Sequence, residues 1–206
     1  MLRFTRASVC ALLLASALPA DAFAGQIRQY PWVYAPPPGV TIVSGRPANA
    51  LQLQSRYRMN PVYLRQVVRV SSEERSGTIV VDTRQHFLYF ILGSGRALRY
   101  GIGTAKTGFE WSGTHQVTNK REWPDWTPPA EMLKRRPELP RHMAGGENNP
   151  LGARALYIGS TLYRIHGTNE PWTIGGDVSS GCIRMTNDDV MDLYSRVQIG
   201  TKVIVL

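Results

Sequence analysis

Two residues in the C-terminal third have the types and spacing for covalent acyl chemistry. His166 closes the strand-like run "LYRIHG", and Cys182 follows sixteen positions later in "SSGCIRM". Nucleophilic catalysis by cysteine needs a thiolate, a base to form it, and donors to hold the oxyanion that its attack creates. The intervening loop "TNEPWTIGGDVSSG" is long enough to fold back and bring base and thiol together. Gly181, immediately before Cys182, lets the backbone turn sharply, so two successive N–H groups can point at one oxygen. Arg184 lies two residues further on. It supplies a cation that lowers a thiol from its ordinary ~8.5 and could grip a substrate carboxylate. On composition alone Cys182 reads equally as a buried structural thiol, and His166 alone as a hydrogen-bonded strand-end histidine. Together they favour catalysis.

The compartment sharpens the question of why a thiol stands there alone. Arg3 and Arg6 precede the apolar run "VCALLLASALPA", and "AFA" (Ala22 to Ala24) offers small residues around a cleavage point, so residues 1–24 read as a secretory signal peptide. That run is too short for a comfortable membrane span, and nothing later is long and apolar enough to be one, so the mature chain is expected to carry no transmembrane segment. Cys10 leaves with the signal and Cys182 remains unpaired. The expected location is the periplasm or cell envelope.

The formal charge is +9 at pH 7, and about +8 once Arg3, Arg6 and Asp21 depart. The partner is therefore expected to be acidic. Nucleic acid is disfavoured: "LKRR" (Leu133 to Arg136) is the only tight basic cluster, and no helix-turn-helix or zinc-finger spacing appears. An anionic envelope polymer or membrane surface fits better.

The elements that must position the pair start late. Residues 25–76 open Pro-rich and polar and read as a linker or arm, within which "NPVYLRQVVRV" fits a short helix or an edge strand. From Gly77 onward the runs "TIVVDT", "HFLYFIL", "RALRYGIGT", "SGTHQVTNKRE", "ALYIG", "LYRIHG" and "KVIVL" read as short strands, with "GSG" turning one into the next. Two stretches suggest helix. "PPAEMLKRR" starts on proline, and "TNDDVMDLYSRVQIG" has Thr186 or Asn187 as N-cap and places Val190, Leu193, Tyr194 and Val197 at i, i+3, i+4 and i+7. The expected fold over 77–206 is mainly β, a β-sandwich with one or two short helices. Residues 123–154 carry six prolines and little strand pattern, and read as a long lid-like insertion.

H-G-T, a loop, then S-x-G-C-I-R-M resembles the signature of the L,D-transpeptidase catalytic domain, the cysteine acyltransferases of bacterial cell-wall metabolism. "GTIVVDTRQHFLYFI", "YGIGT", "WTPP" and "GTKVIVL" fit as well, so the resemblance spans roughly Gly77 to Leu206. It implies Cys182 as nucleophile, His166 as its base, the Gly167 carbonyl orienting the imidazole, an oxyanion hole from Gly181 and Cys182, and Arg184 supporting substrate. It also implies peptidoglycan stem peptides as donors, attacked at the third-residue carbonyl, commonly that of meso-diaminopimelate, with loss of D-alanine. The acceptor stays open: another stem peptide, an envelope protein or water. Many members have histidine where this chain has Ser180.

His86, His115 and His142 read as surface or strand-edge residues. The four histidines are too scattered, with a single remaining cysteine, for a zinc site, and no metal or cofactor is expected. Trp123, Trp126 and Trp172 flank the expected cleft and could stack on substrate or simply pack loops. The rival to an acyltransferase is a non-catalytic wall-binding module.

Overall fold

A computed structural model describes residues 58–206. The segment read as a signal peptide and the first part of the segment read as an arm lie outside them. Eleven strands are present: β1 (Gln66–Arg69), β2 (Ile79–Asp82), β3 (Phe87–Gly93), β4 (Arg96–Gly101), β5 (Thr104–Ala105), β6 (Gly113–Glu122), β7 (Arg154–Ile158), β8 (Arg164–His166), β9 (Asp177–Ser179), β10 (Ile183–Arg184) and β11 (Lys202–Val205). Two α-helices, α1 (Ala130–Arg135) and α2 (Asn187–Arg196), accompany these strands among the described residues. The "GSG" turn joins β3 to β4, with Gly93, Ser94 and Gly95 all at positive φ, the twist a tight hairpin requires.

The mainly-β expectation holds, and the sandwich is built from a single sheet. Nine strands run in the order β1-β4-β3-β2-β11-β6-β7-β8-β10, with β5 and β9 forming a separate pair. The long strand β6 is the junction. Its first half, Gly113 to Gln116, pairs with β11, its second half pairs with β7, and the register slips between Val117 and Asn119 where it changes partner. An irregularity of this kind bends a strand and raises its local twist.

Period-2 alternation aims both halves at one core. Register places Leu98, Phe90, Ile79 and Val203 in one cross-strand row. All four are buried, together with Leu156, Ile158, Ile165 and Ile183 from the other half. A slip of one residue would turn the whole row to solvent. Helix α2 packs on the same core through Val190, Leu193 and Val197, which are fully or nearly fully buried. Each such aliphatic side chain is worth about 1.5–3 kcal/mol. Thr186 is the N-cap, its Oγ1 accepting from Asp189 N at 3.1 Å. At the other end Lys120 donates to the carbonyls of Tyr194 (2.7 Å) and Val197 (2.5 Å), a cation set where the helix dipole is negative.

Two further segments are fastened to the core of this frame. "NPVYLRQVVRV" supplies both alternatives read for it: a 3₁₀ turn over Pro61–Tyr63, then edge strand β1 on β4. Tyr63 packs on Phe87 and fills the space above Gly101 and Gly175, while Arg65 reaches Asp192 at 3.2 Å. The insertion 123–154 is closed by a bridge between Trp126 and Met143. The buried Asn149 then clips it down, its Nδ2 donating to the carbonyls of Pro124 (3.1 Å) and Ala144 (3.0 Å) and its Oδ1 accepting from Leu151 N (2.9 Å). Arg135 of α1 lies over the Phe109 ring at 5.1 Å, so the insertion reaches the loop before β6.

Candidate active site

Strand pairing assembles the site. β8 and β10 are parallel, with Ile165 opposite Ile183 and His166 opposite Arg184. Both isoleucines point into the core. Alternation therefore sends Arg164, His166 and Arg184 to the opposite face, and Cys182, one residue before Ile183, shares it. The hairpin between β7 and β8 overhangs this face, and the Cys182 thiol donates to its Leu162 carbonyl at 4.0 Å.

His166 is 4% exposed. Its Nδ1 sits 2.5 Å from the Gly167 carbonyl. A carbonyl only accepts, so the proton is on Nδ1 and Nε2 keeps a lone pair, the form a general base needs. Burial, and after it the Arg184 charge, holds the imidazole down at about 3, against the Gly167 and Leu151 carbonyls, which favour the cation. The ring is thus neutral at physiological pH. Burial pushes the Cys182 thiol above its ordinary value, while the Arg164 charge, hydrogen bonds from Arg164, and Arg184 pull it back.

The turn before Cys182 is braced from two sides. Gly181 has φ +114°, and a Cβ there would lie 2.7 Å from Tyr163 Cδ1 and overlap the ring further at its edge, so only glycine fits. The Ser179 hydroxyl accepts from Gly181 N (3.1 Å) and donates to Cys182 O (2.6 Å). This qualifies one expectation: of the two oxyanion donors, Gly181 N–H is already engaged. Trp111 Nε1 donates to Gly181 O at 2.6 Å, and its indole stacks on Tyr163 with ring centroids 4.4 Å apart.

The remaining sequence candidates lie around this centre. Arg184 is tied to Glu170 at 3.0 Å, and its Nε is buried without an acceptor. Ser180 is exposed beside the thiol turn, and Trp172 is 40% exposed in a 3₁₀ turn over Pro171–Thr173. Trp123 is exposed and Trp126 holds the insertion, so the tryptophan that touches the cysteine turn is Trp111. His86 has a structural partner, Asp177 at 3.0 Å, which also accepts from Thr104.

Three residues escaped the sequence reading. Arg164 was legible in principle, since it stands two positions before His166 on a strand and must share its face. Ser179 forms a side-chain turn with the N–H two residues on, a pattern that "SSG" encodes locally. Trp111 had no local signal, because its contact with Gly181 crosses seventy residues of chain.

The L,D-transpeptidase catalytic domain (YkuD) family description matches residues 76–205. The Escherichia coli (strain K12) protein named "Probable L,D-transpeptidase ErfK/SrfK" is 39% identical over 137 residues, covering 63% of this chain and 43% of that protein. "Probable L,D-transpeptidase YbiS" of the same strain is 36% identical over 135 residues, covering 62% and 43%. This chain thus spans under half the length of these curated relatives. A crystal structure of an Enterococcus faecium L,D-transpeptidase mutant superposes with TM-score 0.52 at 21% identity, over 64% of this chain and 50% of that one, a likeness of fold. With the matched region running from just ahead of β2 to the end of β11, and with the His166 and Cys182 motifs inside it, the chain belongs to the L,D-transpeptidase catalytic domain family.

Proposed function

We propose that this chain is an exported cysteine acyltransferase that acts on the stem peptides of peptidoglycan in the periplasm or cell envelope. The observation that carries the proposal is the tautomer and placement of His166. Its Nδ1 is committed to Gly167 O, its Nε2 is left with a lone pair, and it shares a face with Cys182 on paired strands.

In this scheme the thiol leaves the Leu162 carbonyl and gives its proton to His166 Nε2. The sulfur keeps the electron pair and attacks the third-residue carbonyl of the stem, commonly that of meso-diaminopimelate. Cys182 N–H faces the oxyanion, and Gly181 N–H joins it by exchanging its bond to Ser179 Oγ. Removing one such donor typically costs about 10²- to 10³-fold in rate. Collapse breaks the C–N bond, and D-alanine departs with the proton held by His166. An incoming amine, losing a proton to His166 Nε2, then attacks the thioester carbonyl; the C–S bond breaks, and the freed thiolate takes that proton back. A second stem peptide as acceptor gives a 3-3 cross-link, an envelope protein gives an anchored protein, and water gives a trimmed stem. Arg184 offers its guanidinium to a substrate carboxylate in competition with Glu170. The exposed Ser180 and Trp172 stand at the approach. The scheme uses no cofactor. The leader over residues 1–24 would deliver the chain to its substrate.

Intact mass spectrometry of the reduced mature protein with a carbapenem or a tetrapeptide donor tests this directly. The expected result is one covalent adduct on the wild type and none on Cys182→Ala. A wild type that stays unmodified with its thiol free would leave only a wall-binding module. Sorting muropeptide products into dimers, exchanged stems and tripeptides identifies the acceptor.

A further inference from the structure

Arg164, to which the scheme above gives no task, stands on the same face as the thiol and one register position from the Ile165–Ile183 pair. The pairing of Ile165 with Ile183 puts Arg164 level with Cys182 across two parallel strands. Its Nη1 donates to Leu162 O at 3.2 Å, and that same oxygen receives the Cys182 thiol at 4.0 Å. Guanidinium and sulfur therefore converge on one carbonyl. The guanidinium is held there from behind by Tyr157, its cross-strand neighbour, with Cζ 5.1 Å from the ring centroid. Nε of Arg164 is buried and has no acceptor, so the guanidinium keeps a spare buried donor.

We infer that Arg164 is the resident counter-charge of the Cys182 thiolate, a catalytic residue whose guanidinium takes up the sulfur's hydrogen bonding when the proton leaves. The inference rests on Cys182 being the nucleophile proposed above. When the S–H proton passes to His166 Nε2, the bond to Leu162 O is lost and the electron pair stays on sulfur, facing Arg164. The other charged or titratable groups around that sulfur are His166 on β8, Arg184 on β10 and Glu170, which acts through Arg184. Arg184 is a weaker candidate for this role, because Glu170 already offsets part of its charge. Burial and the Arg164 charge act on the thiol in opposite directions.

The test is the pH dependence of Cys182 alkylation by iodoacetamide, which needs no peptidoglycan, measured on the wild type, Arg164→Met, Arg164→Lys and Arg164→Gln. Thermal denaturation of each variant is run alongside. The thiolate is the reacting species, so losing the counter-charge should move the alkylation midpoint up by about one pH unit and slow the reaction about tenfold at neutral pH. Arg164→Lys should stay near wild type. A residue that only packed on Tyr157 and Leu162 would lower the melting temperature and leave the midpoint alone, and that result overturns the inference. If Arg164→Met fails to fold, equal midpoints for the Lys and Gln variants overturn it instead. Wild-type protein that alkylates as expected, with a midpoint that depends on Arg164, yet leaves muropeptides untouched would sink the acyltransferase scheme and the catalytic role of Arg164 with it, and leave Arg164 only as the counter-charge of the thiolate.

Discussion

Gly181→Ala is the substitution whose cost the structure specifies most fully. The residue sits at φ +114°, a region that L-residues with a side chain rarely occupy, and an added Cβ would be driven into the Tyr163 ring, 2.7 Å from Cδ1. Forcing the backbone costs about 1–3 kcal/mol. Pressing a methyl into a packed ring costs about another 1–3 kcal/mol. Tyr163 has little room to yield, because its ring is stacked on Trp111 with centroids 4.4 Å apart. A total of about 2–6 kcal/mol, near 4 at the middle of that range, lowers the melting temperature by roughly 8–16 °C in a domain of this size. Acylation by a carbapenem should fall with it, because the same movement carries Gly181 N–H and Cys182 N–H out of line. Thermal denaturation and adduct formation are measured on Gly181→Ala, Tyr163→Ala and the double variant. If the ring is the obstacle, the double variant recovers the steric part and keeps the backbone part, a coupling of about 1–3 kcal/mol. Strict additivity, or a Gly181→Ala protein that melts and acylates like the wild type, would refute the reasoning.

Asp189 is buried under the first turn of α2, and burial raises its carboxyl to about 6, above the ~3.9 of an exposed aspartate. A raised folded value favours the protonated form, so its stabilising effect is present below about pH 4 and lost as pH rises through 6. Asp189→Asn should therefore gain roughly 1–3 kcal/mol at pH 8 and almost nothing at pH 4, read as melting temperature at both. A pH-independent difference, or a loss at pH 8, would show that the Arg65 contact at 3.9 Å outweighs the burial cost. Tyr63 fills the space above Gly175, inside the loop between His166 and Cys182. Tyr63→Ala should speed amide exchange over residues 168–178 and slow acylation while Cys182 stays alkylatable; unchanged exchange there would mean that this part of the arm does not support the loop.

The sequence showed strands best where their burial is one-sided. "TIVVDT" and "KVIVL" alternate, and they became β2 and β11, paired in parallel through Val203 and Ile79. The helix at α2 was equally plain, because its apolar positions recur at the helical period and Thr186 caps it. The short strands β9 and β10 were not legible. Each has two or three residues, and each exists only because a partner lies alongside, Thr104 and Ala105 for β9 and Arg164 to His166 for β10. No periodicity can declare so short an element. Nor could composition show that the two layers are one sheet, because that depends on the slip at Val117 to Asn119.

The same division runs through the site. The residues proposed to carry chemistry could be nominated early because type and spacing along the chain are enough to single out a thiol and an imidazole. Residues that set the conditions for that chemistry reach it across the sheet: Arg164 from a neighbouring strand, Trp111 from the loop before β6, Leu162 from a hairpin tip. The electrostatics follow from that assembly. Arg164 and Arg184 favour a thiolate over a thiol and a neutral imidazole over a charged one. The two effects oppose each other in the transfer of a proton from Cys182 to His166, since cations stabilise the sulfur anion and penalise the ring cation. What the two arginines favour without opposition is the thiolate beside a neutral His166. An anion that enters and neutralises Arg184 relaxes the penalty on the ring while Arg164 keeps its place beside the sulfur. A substrate bearing a carboxylate therefore shifts the balance toward the proton acceptor as it binds, and an uncharged acyl donor does not.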